Sequence, residues 1–234
     1  MEINLERIEK ALTPELYKKL MESYEMALTI NAPLMEEVDG ALKCFELPAL
    51  APIKIKLFTQ AASQYAVNQN YPLVTGLFAT RLIENSYNAG NRVFPIKPFS
   101  GKQIAGLGYN LKGNRGRLLE IRVEGDAGSL CCYGAENISI EAERAGDFFA
   151  HSSGNVRGII TFTGSYAGWF CRRLKLTTEV VGKSAGAYAS DSVFRTHTRF
   201  TFDELFESIA KERDNRLVHI IDDKGKKERR IFEI

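Results

Sequence analysis

Five Ala-Gly pairs, at residues 105–106, 127–128, 145–146, 167–168 and 185–186, divide the second half of this 234-residue chain at intervals of 22, 18, 22 and 18 residues. One pair carries no information, but an alternating ladder of five is an internal repeat. A unit of about 20 residues is too small to bury its own apolar face, so copies must stack to make a common core. Ahead of the last four pairs run short segments that alternate apolar with polar residues: Ile121 and Val123; Ile138, Ile140 and Ala142; Ile160 and Phe162; Leu174, Leu176 and Val180. Period two bounded by Gly, Asp and Ser predicts strands. The apolar places lie five and seven residues before Ala145 and Ala167 but four and six before Ala127. That slip predicts a bulge or a shortened turn in one unit.

A small residue recurring at one corner suits strands stacked about 4.8 Å apart, where a tight turn leaves no room for bulk. Glycine also reaches backbone angles that strain other residues. The sequence therefore predicts a β-solenoid over residues 99–200. The competing reading is an antiparallel sheet whose hairpin turns contain Gly. Gly125-Asp-Ala-Gly128, Gly164-Ser-Tyr-Ala-Gly168 and Tyr109-Asn-Leu-Lys-Gly113 resemble the Gly-rich repeats of the GXGXG family, which includes the C-terminal domain of glutamate synthase and a subunit of formylmethanofuran dehydrogenase. The resemblance covers about residues 101–200. It implies a right-handed β-helix with a structural or coupling role and transfers no catalytic residue. The second Gly-rich block of each family repeat is replaced here by stretches such as Phe148-Phe-Ala-His-Ser-Ser153.

The flanks read differently. Residues 1–98 are predicted to be a mostly helical domain. Thr13-Pro14 is a start signal, a hydroxyl cap before Pro at the first helical position, with Tyr17, Leu20, Tyr24 and Leu28 on one face. Pro33 opens a run with Leu34, Val38 and Leu42, weakened by Gly40. Ile53-Lys-Ile-Lys-Leu57 alternates like a strand, whereas the Ala/Gln-rich residues after it favour helix. Val74, Leu77, Phe78 and Leu82 mark a helix that Gly90 ends, and Pro95 and Pro98 form a boundary before the repeat. Residues 201–234 are predicted to close the solenoid: Thr201-Phe-Asp-Glu204 is a capping box, and a hairpin comes next around Asp222-Asp-Lys-Gly225. The expected fold class is thus α+β, a helical domain followed by a capped β-solenoid.

A chain with 44 % apolar and 26 % charged residues is ordinary globular material, and its net charge of +2 names no partner. Residues 1–100 carry 10 bases and 11 acids, leaving 21 and 18 for the rest, which argues against nucleic acid. The acidic start Met1-Glu-Ile-Asn-Leu-Glu6 lacks the regions of a signal peptide, and no apolar run approaches the ~18 residues of a membrane span. The expectation is a cytoplasmic protein off the membrane. Cys44, Cys131, Cys132 and Cys171 read as reduced interior thiols.

Chemistry is sparse. His151 with the repeat's cysteines lacks any metal-ligand spacing, and Gly182-Lys-Ser184 lacks the upstream Gly of a phosphate loop because residue 177 is Thr. Ser152 or Ser153 with His151 or His197 makes a nucleophile–base pair that nothing in the sequence orients. No catalytic, cofactor or metal residue is assigned, and no cofactor is expected. Two surfaces remain. Stacked units would align Arg117 and Arg173, with Arg195 or Arg199, as a basic row, opposed by a reading of them as a solvated face relieved by Glu120, Glu124, Glu141 and Glu143. Trp169 and Tyr188 follow Ala-Gly pairs and either fill the interior or pave a docking face. At the junction of helices and repeat, Tyr87, Asn91, Arg92, Lys97 and Lys102 offer a site for a small anion, or are ordinary linker polarity. The favoured expectation is a non-enzymatic scaffold or interaction module with a protein partner or a second copy of itself; the alternative is an enzyme or anion binder at the junction.

Overall fold

The computed structural model of the protein describes residues 13–98, 103–162, 175–176, 193–196, 216–223 and 226–233. Four helices come first: α1 (Pro14–Leu28), α2 (Met35–Leu42), α3 (Pro52–Ala61), continued by a 3-10 turn at Ala62–Tyr65, and α4 (Tyr71–Asn88). Proline opens α1, α3 and α4, where its missing N–H costs nothing. Thr13 precedes α1, but its hydroxyl makes no capping hydrogen bond. The ambiguous stretch after Ile53 is helical because Ile55, Phe58 and Ala61 are buried at helical spacing while Ile53 is exposed. Rings seal the bundle: Tyr24 meets Phe58, Phe78 and Tyr65 edge-on at 5.2–5.6 Å, and Phe58 stacks on Phe78 at 5.1 Å. Each fully buried Phe contributes roughly 1.5–3 kcal/mol.

The strands β1 (Val93–Ile96), β2 (Leu119–Asp126), β3 (Glu136–Ala145) and β4 (Gly154–Phe162) pair in parallel in chain order. The order continues through β5 (Lys175–Leu176), β6 (Val193–Thr196) and β7 (Arg216–Asp223), and β8 (Lys226–Glu233) turns back antiparallel on β7. One face is apolar in rows: Leu119, Ile138 and Val156 in one, Phe94, Ile121, Ile140 and Gly158 in the next. Every one of these residues is buried. Helix α3 lies along β1. Pro95, expected to mark a boundary, sits inside β1, an edge position where a strand tolerates a residue without an N–H. The register slip expected near Ala127 is a break in β2–β3 pairing between Val123 and Asp126.

Among the described residues the predicted β-solenoid is not formed; the fold is helices followed by a single open sheet, parallel from β1 to β7 with β8 antiparallel at its edge. The reason lies in the segments that join the strands. A solenoid requires further extended segments in every unit, each building its own sheet. Here the segments preceding β2, β3 and β4 are chains of tight turns. Tyr109 and Leu111 donate to the carbonyls of Gly106 and Gly108, Tyr133 and Ala135 to those of Leu130 and Cys132, and His151 to that of Phe148. Such turns require left-handed residues, and Gly106, Gly108 and Asn110, then Leu130, Cys132 and Gly134, then Phe148, Ala150 and Ser152 all have φ between +49° and +76°. Backbone bent this way cannot extend into a strand. The turns still bond from layer to layer, Asn110 to Tyr133, Cys132 to Leu107, Leu130 to Asp147, Gly134 to His151 and Ala150 to Cys131, each amide to a carbonyl at 2.8 Å or less. The capping helix expected after Thr201 and the last two Ala-Gly pairs lie outside the described residues.

The helices grip the first of these turn segments. A Cβ on Gly76 of α4 would lie 1.9 Å from the Ala105 carbonyl oxygen, so only glycine permits the approach. Beside it, Thr80 Oγ1 donates to the Gly76 carbonyl and accepts from the Gly108 amide, both at 2.7 Å. Among the described residues a continuous apolar core runs from Leu20 in α1 to Val156 in β4, across the expected boundary at residue 98.

Candidate functional site

At the junction, residues singled out for two different reasons meet in one clamp. The Arg117 guanidinium carbon lies 4.6 Å from the centroid of the Tyr87 ring, and Nη2 donates to the carbonyls of Tyr87 (2.6 Å) and Asn91 (3.1 Å). A cation therefore closes the C-terminal end of α4, where carbonyls lack helical partners and the helix dipole is negative. The Tyr87 hydroxyl donates to the Arg117 carbonyl and accepts from the Asn114 amide at 2.9 Å. Tyr87 and Arg117 thus satisfy each other, and Arg117 belongs to this clamp rather than to a row of strand residues.

A second clamp lies at the end of β1. Glu124 on β2 bonds Lys56 of α3 and, at 2.7 Å, Lys97. Hydrogen bonds from the two ammonium groups hold its carboxyl below the usual glutamate range. Arg92 is exposed, and its carbonyl accepts from the Glu120 amide at 2.8 Å. Lys102, Trp169, Arg173 and Tyr188 lie outside the described residues. The junction residues that are described form two separate contacts and do not converge on one point.

The turn segments carry a row of rings. Tyr109 and Tyr133 stand 5.8 Å apart, and His151 stacks on Tyr133 at 4.9 Å with 12° between the planes. Equivalent places in successive layers repeat at strand spacing, so like groups must stack. Burial lowers the pKa of His151. Its Nδ1 lies 2.9 Å from Ser152 Oγ, while the Ser153 hydroxyl donates to the Ala150 carbonyl. The Ser152–His151 pair is a contact between sequence neighbours in a turn, and Ser153 serves the backbone. Asn155 Nδ2 donates to Asn137 Oδ1 (2.7 Å), and Asn137 Nδ2 to the Gly113 carbonyl (3.1 Å), a second row with the same origin.

Cys131 and Cys132 are buried with their sulfurs 4.0 Å apart. The neighbouring thiol, then burial, pushes the Cys131 thiol well up. Cys44, expected inside, is exposed on the turn after α2. Among the described residues no group of three or more His, Cys, Asp or Glu could hold a metal ion, and no helix is long and apolar enough to cross a membrane.

Sequence reasoning missed one polar cluster. Asp39 of α2, only 4 % exposed, accepts from Arg81 of α4 and pairs with Lys43 at 3.2 Å. Arg81 also reaches Glu84 at 2.5 Å. Tyr109 hydrogen-bonds Glu36 on the same helix as Asp39, and burial first, then these carboxylates, raise its pKa. The signal lies in α4 itself: Arg81 is its first charged residue, following ten that are mostly apolar, and a charge on a largely buried helix implies a partner, though its spacing does not say which.

In β2, β3 and the described part of β4 the other face is solvated and polar. Arg122, Glu141 and Arg157 are exposed along it, and Arg122 reaches Glu120 at 3.1 Å and Glu141 at 3.5 Å. No family model, curated protein or solved structure matches this chain.

Proposed function

We propose that this protein is a non-enzymatic interaction module, in which a helical unit braces a parallel sheet that offers its polar face to a protein partner. What carries the reading is the register of β2, β3 and β4, which sets Glu120, Ser139 and Arg157 in one straight row and Arg122, Glu141 and Ile159 in the next. In these strands the opposite face is buried in the core, which braces them from behind. A rigid, regularly spaced surface lowers the ordering cost of binding. Of the junction groups that suggested an anion site, Tyr87 is engaged by Arg117 and Lys97 by Glu124.

Site-specific photo-crosslinking tests the proposal. A crosslinking residue at Ser139, on the polar face, should capture a discrete species in the native cell, whereas one at Met26, exposed on α1, should not. Capture at Met26 alone, or at neither position, would remove the proposal.

A further inference from the structure

Adjacent residues of an extended chain point to opposite sides, so neighbouring cysteines ordinarily keep their sulfurs apart. Cys131 and Cys132 do not. Cys132 has φ +57°, and this left-handed turn brings the two sulfurs to 4.0 Å with both residues fully buried. The Cys132 sulfur packs over Gly108, where a Cβ would approach it to 3.2 Å. The peptide unit between the two cysteines is also the rung that ties three turn segments together. Its N–H, on Cys132, donates to the Leu107 carbonyl of the segment before β2. Its carbonyl, on Cys131, accepts from the Ala150 amide of the segment before β4, and both bonds are 2.8 Å long. One short stretch of backbone thus carries the thiols and the bonds between layers. While the turns are stacked, the neighbouring thiol and burial hold the Cys131 thiol protonated, whereas the thiolate is the reactive form. The pair therefore reacts from turns that have opened.

We propose that Cys131 and Cys132 are an oxidation site, at which a small disulfide such as oxidised glutathione joins the two sulfurs and unlatches the stacked turns. One cysteine thiolate attacks the oxidant, forming a mixed disulfide and expelling one glutathione thiolate. The second cysteine thiolate attacks the protein sulfur of that mixed disulfide and expels the other glutathione. The two cysteines lose two electrons and two protons, and the oxidant leaves as two thiols. Ring closure works against the fold. Neighbouring Cα atoms are about 3.8 Å apart, short of the roughly 4.4–6.8 Å of ordinary disulfides, so the intervening peptide must twist. Twisting swings its N–H off Leu107 and its carbonyl off Ala150, and the product cannot restack. A strained disulfide is easily reduced, so a thiol resets the latch. The site is independent of the polar face proposed for a partner.

The test treats the full chain with oxidised glutathione and then alkylates the remaining thiols in denaturant. The tryptic peptide Val123–Arg144 contains both cysteines and no other, so ring closure shows there as a loss of two hydrogens with no alkyl or glutathionyl group. Hydrogen exchange at the amides of Cys132 and Ala150 should quicken by about tenfold or more in the oxidised protein and return to its starting rate after dithiothreitol. The amide of Val74, bonded within α4, should keep its rate. Cys44→Ser removes an exposed thiol and should leave the response intact, whereas Cys132→Ala should abolish it. Mass and exchange on the unaltered chain decide the matter even if Cys132→Ala does not fold. Alkylation of both thiols, a glutathionyl group retained on one cysteine, or a closed ring with unchanged exchange at Cys132 and Ala150 would overturn the inference. So would equal quickening at Val74, which would mean unfolding of the whole chain.

Discussion

The helical region and the stacked turns solve the same problem by different means. In the helices, side chains do the holding: Tyr24, Phe58 and Phe78 interlock, and the backbone keeps ordinary helical angles. In the turns, backbone amides bond layer to layer and the side chains conform to them. The same three places are left-handed in each of three layers. The first layer fills them with Gly106, Gly108 and Asn110, residues suited to such angles, and the third with Phe148, Ala150 and Ser152. The pattern therefore persists where its preferred residues are gone, which means that neighbouring layers impose it.

The largest effect should come at the seam between the two regions. Gly76→Leu would drive a side chain into the Ala105 carbonyl, a backbone group with no flexible end to yield. A loss above about 4 kcal/mol is expected in denaturant unfolding, among the severe class for single substitutions. A well-folded variant would show that α4 and the first turn segment are not in contact. Next, Phe78→Ala in the helices and Phe149→Ala in the turns each remove a fully buried ring and should cost about 3–5 kcal/mol. Comparable losses in a single unfolding transition are expected of one continuous core. Two separate transitions would divide the regions.

A smaller pair of changes sharpens the comparison of layers. Ala150→Gly relieves a left-handed Ala and should stabilise by up to about 1 kcal/mol, while Gly106→Ala should destabilise by a similar amount. Thermal melts of both variants are the measurement, and the same sign for both would refute the idea that the layers impose one backbone shape. The smallest effect is on pH. Glu124 has a folded pKa below its ordinary value, so its contribution is present above about pH 4.3 and is lost as pH falls through the lower folded value. His151, also lowered, adds stability above about pH 6.5 that is lost on acidification. Glu124→Gln should flatten only the more acidic limb of a stability–pH curve; an unchanged limb would discount the Lys56 and Lys97 contacts.

Legibility in the sequence divides along the same line. Helices were legible because burial spacing is local: Leu20, Tyr24 and Leu28 repeat along α1 and lie inside. Strand places were legible for the same reason, as with Ile138 and Ile140. The turn segments were not. Leu130, Cys132 and Phe148 do not announce left-handed backbone, although the first layer marks the same places with Gly106 and Gly108. Strand β1 was hidden by Pro95, which is admissible only at an edge that a sequence does not display. The contacts of Arg117 with Tyr87 and of Arg81 with Asp39 join residues far apart in the chain, so no local spacing predicts them.

The offset between the second and third layers has a consequence for how such a chain can change length. Glu136 faces Gly154 and Ile138 faces Val156, so both strand positions advance by 18 residues per layer (154 − 136, 156 − 138). The turn amides bridge the same two layers in both directions, Gly134 to His151 and Ala150 to Cys131. A chain lacking residues 136–153 would therefore bring Val156 to the place of Ile138, in register with Leu119. The helices, which hold the first turn segment at Gly76, would meet the same neighbour either way.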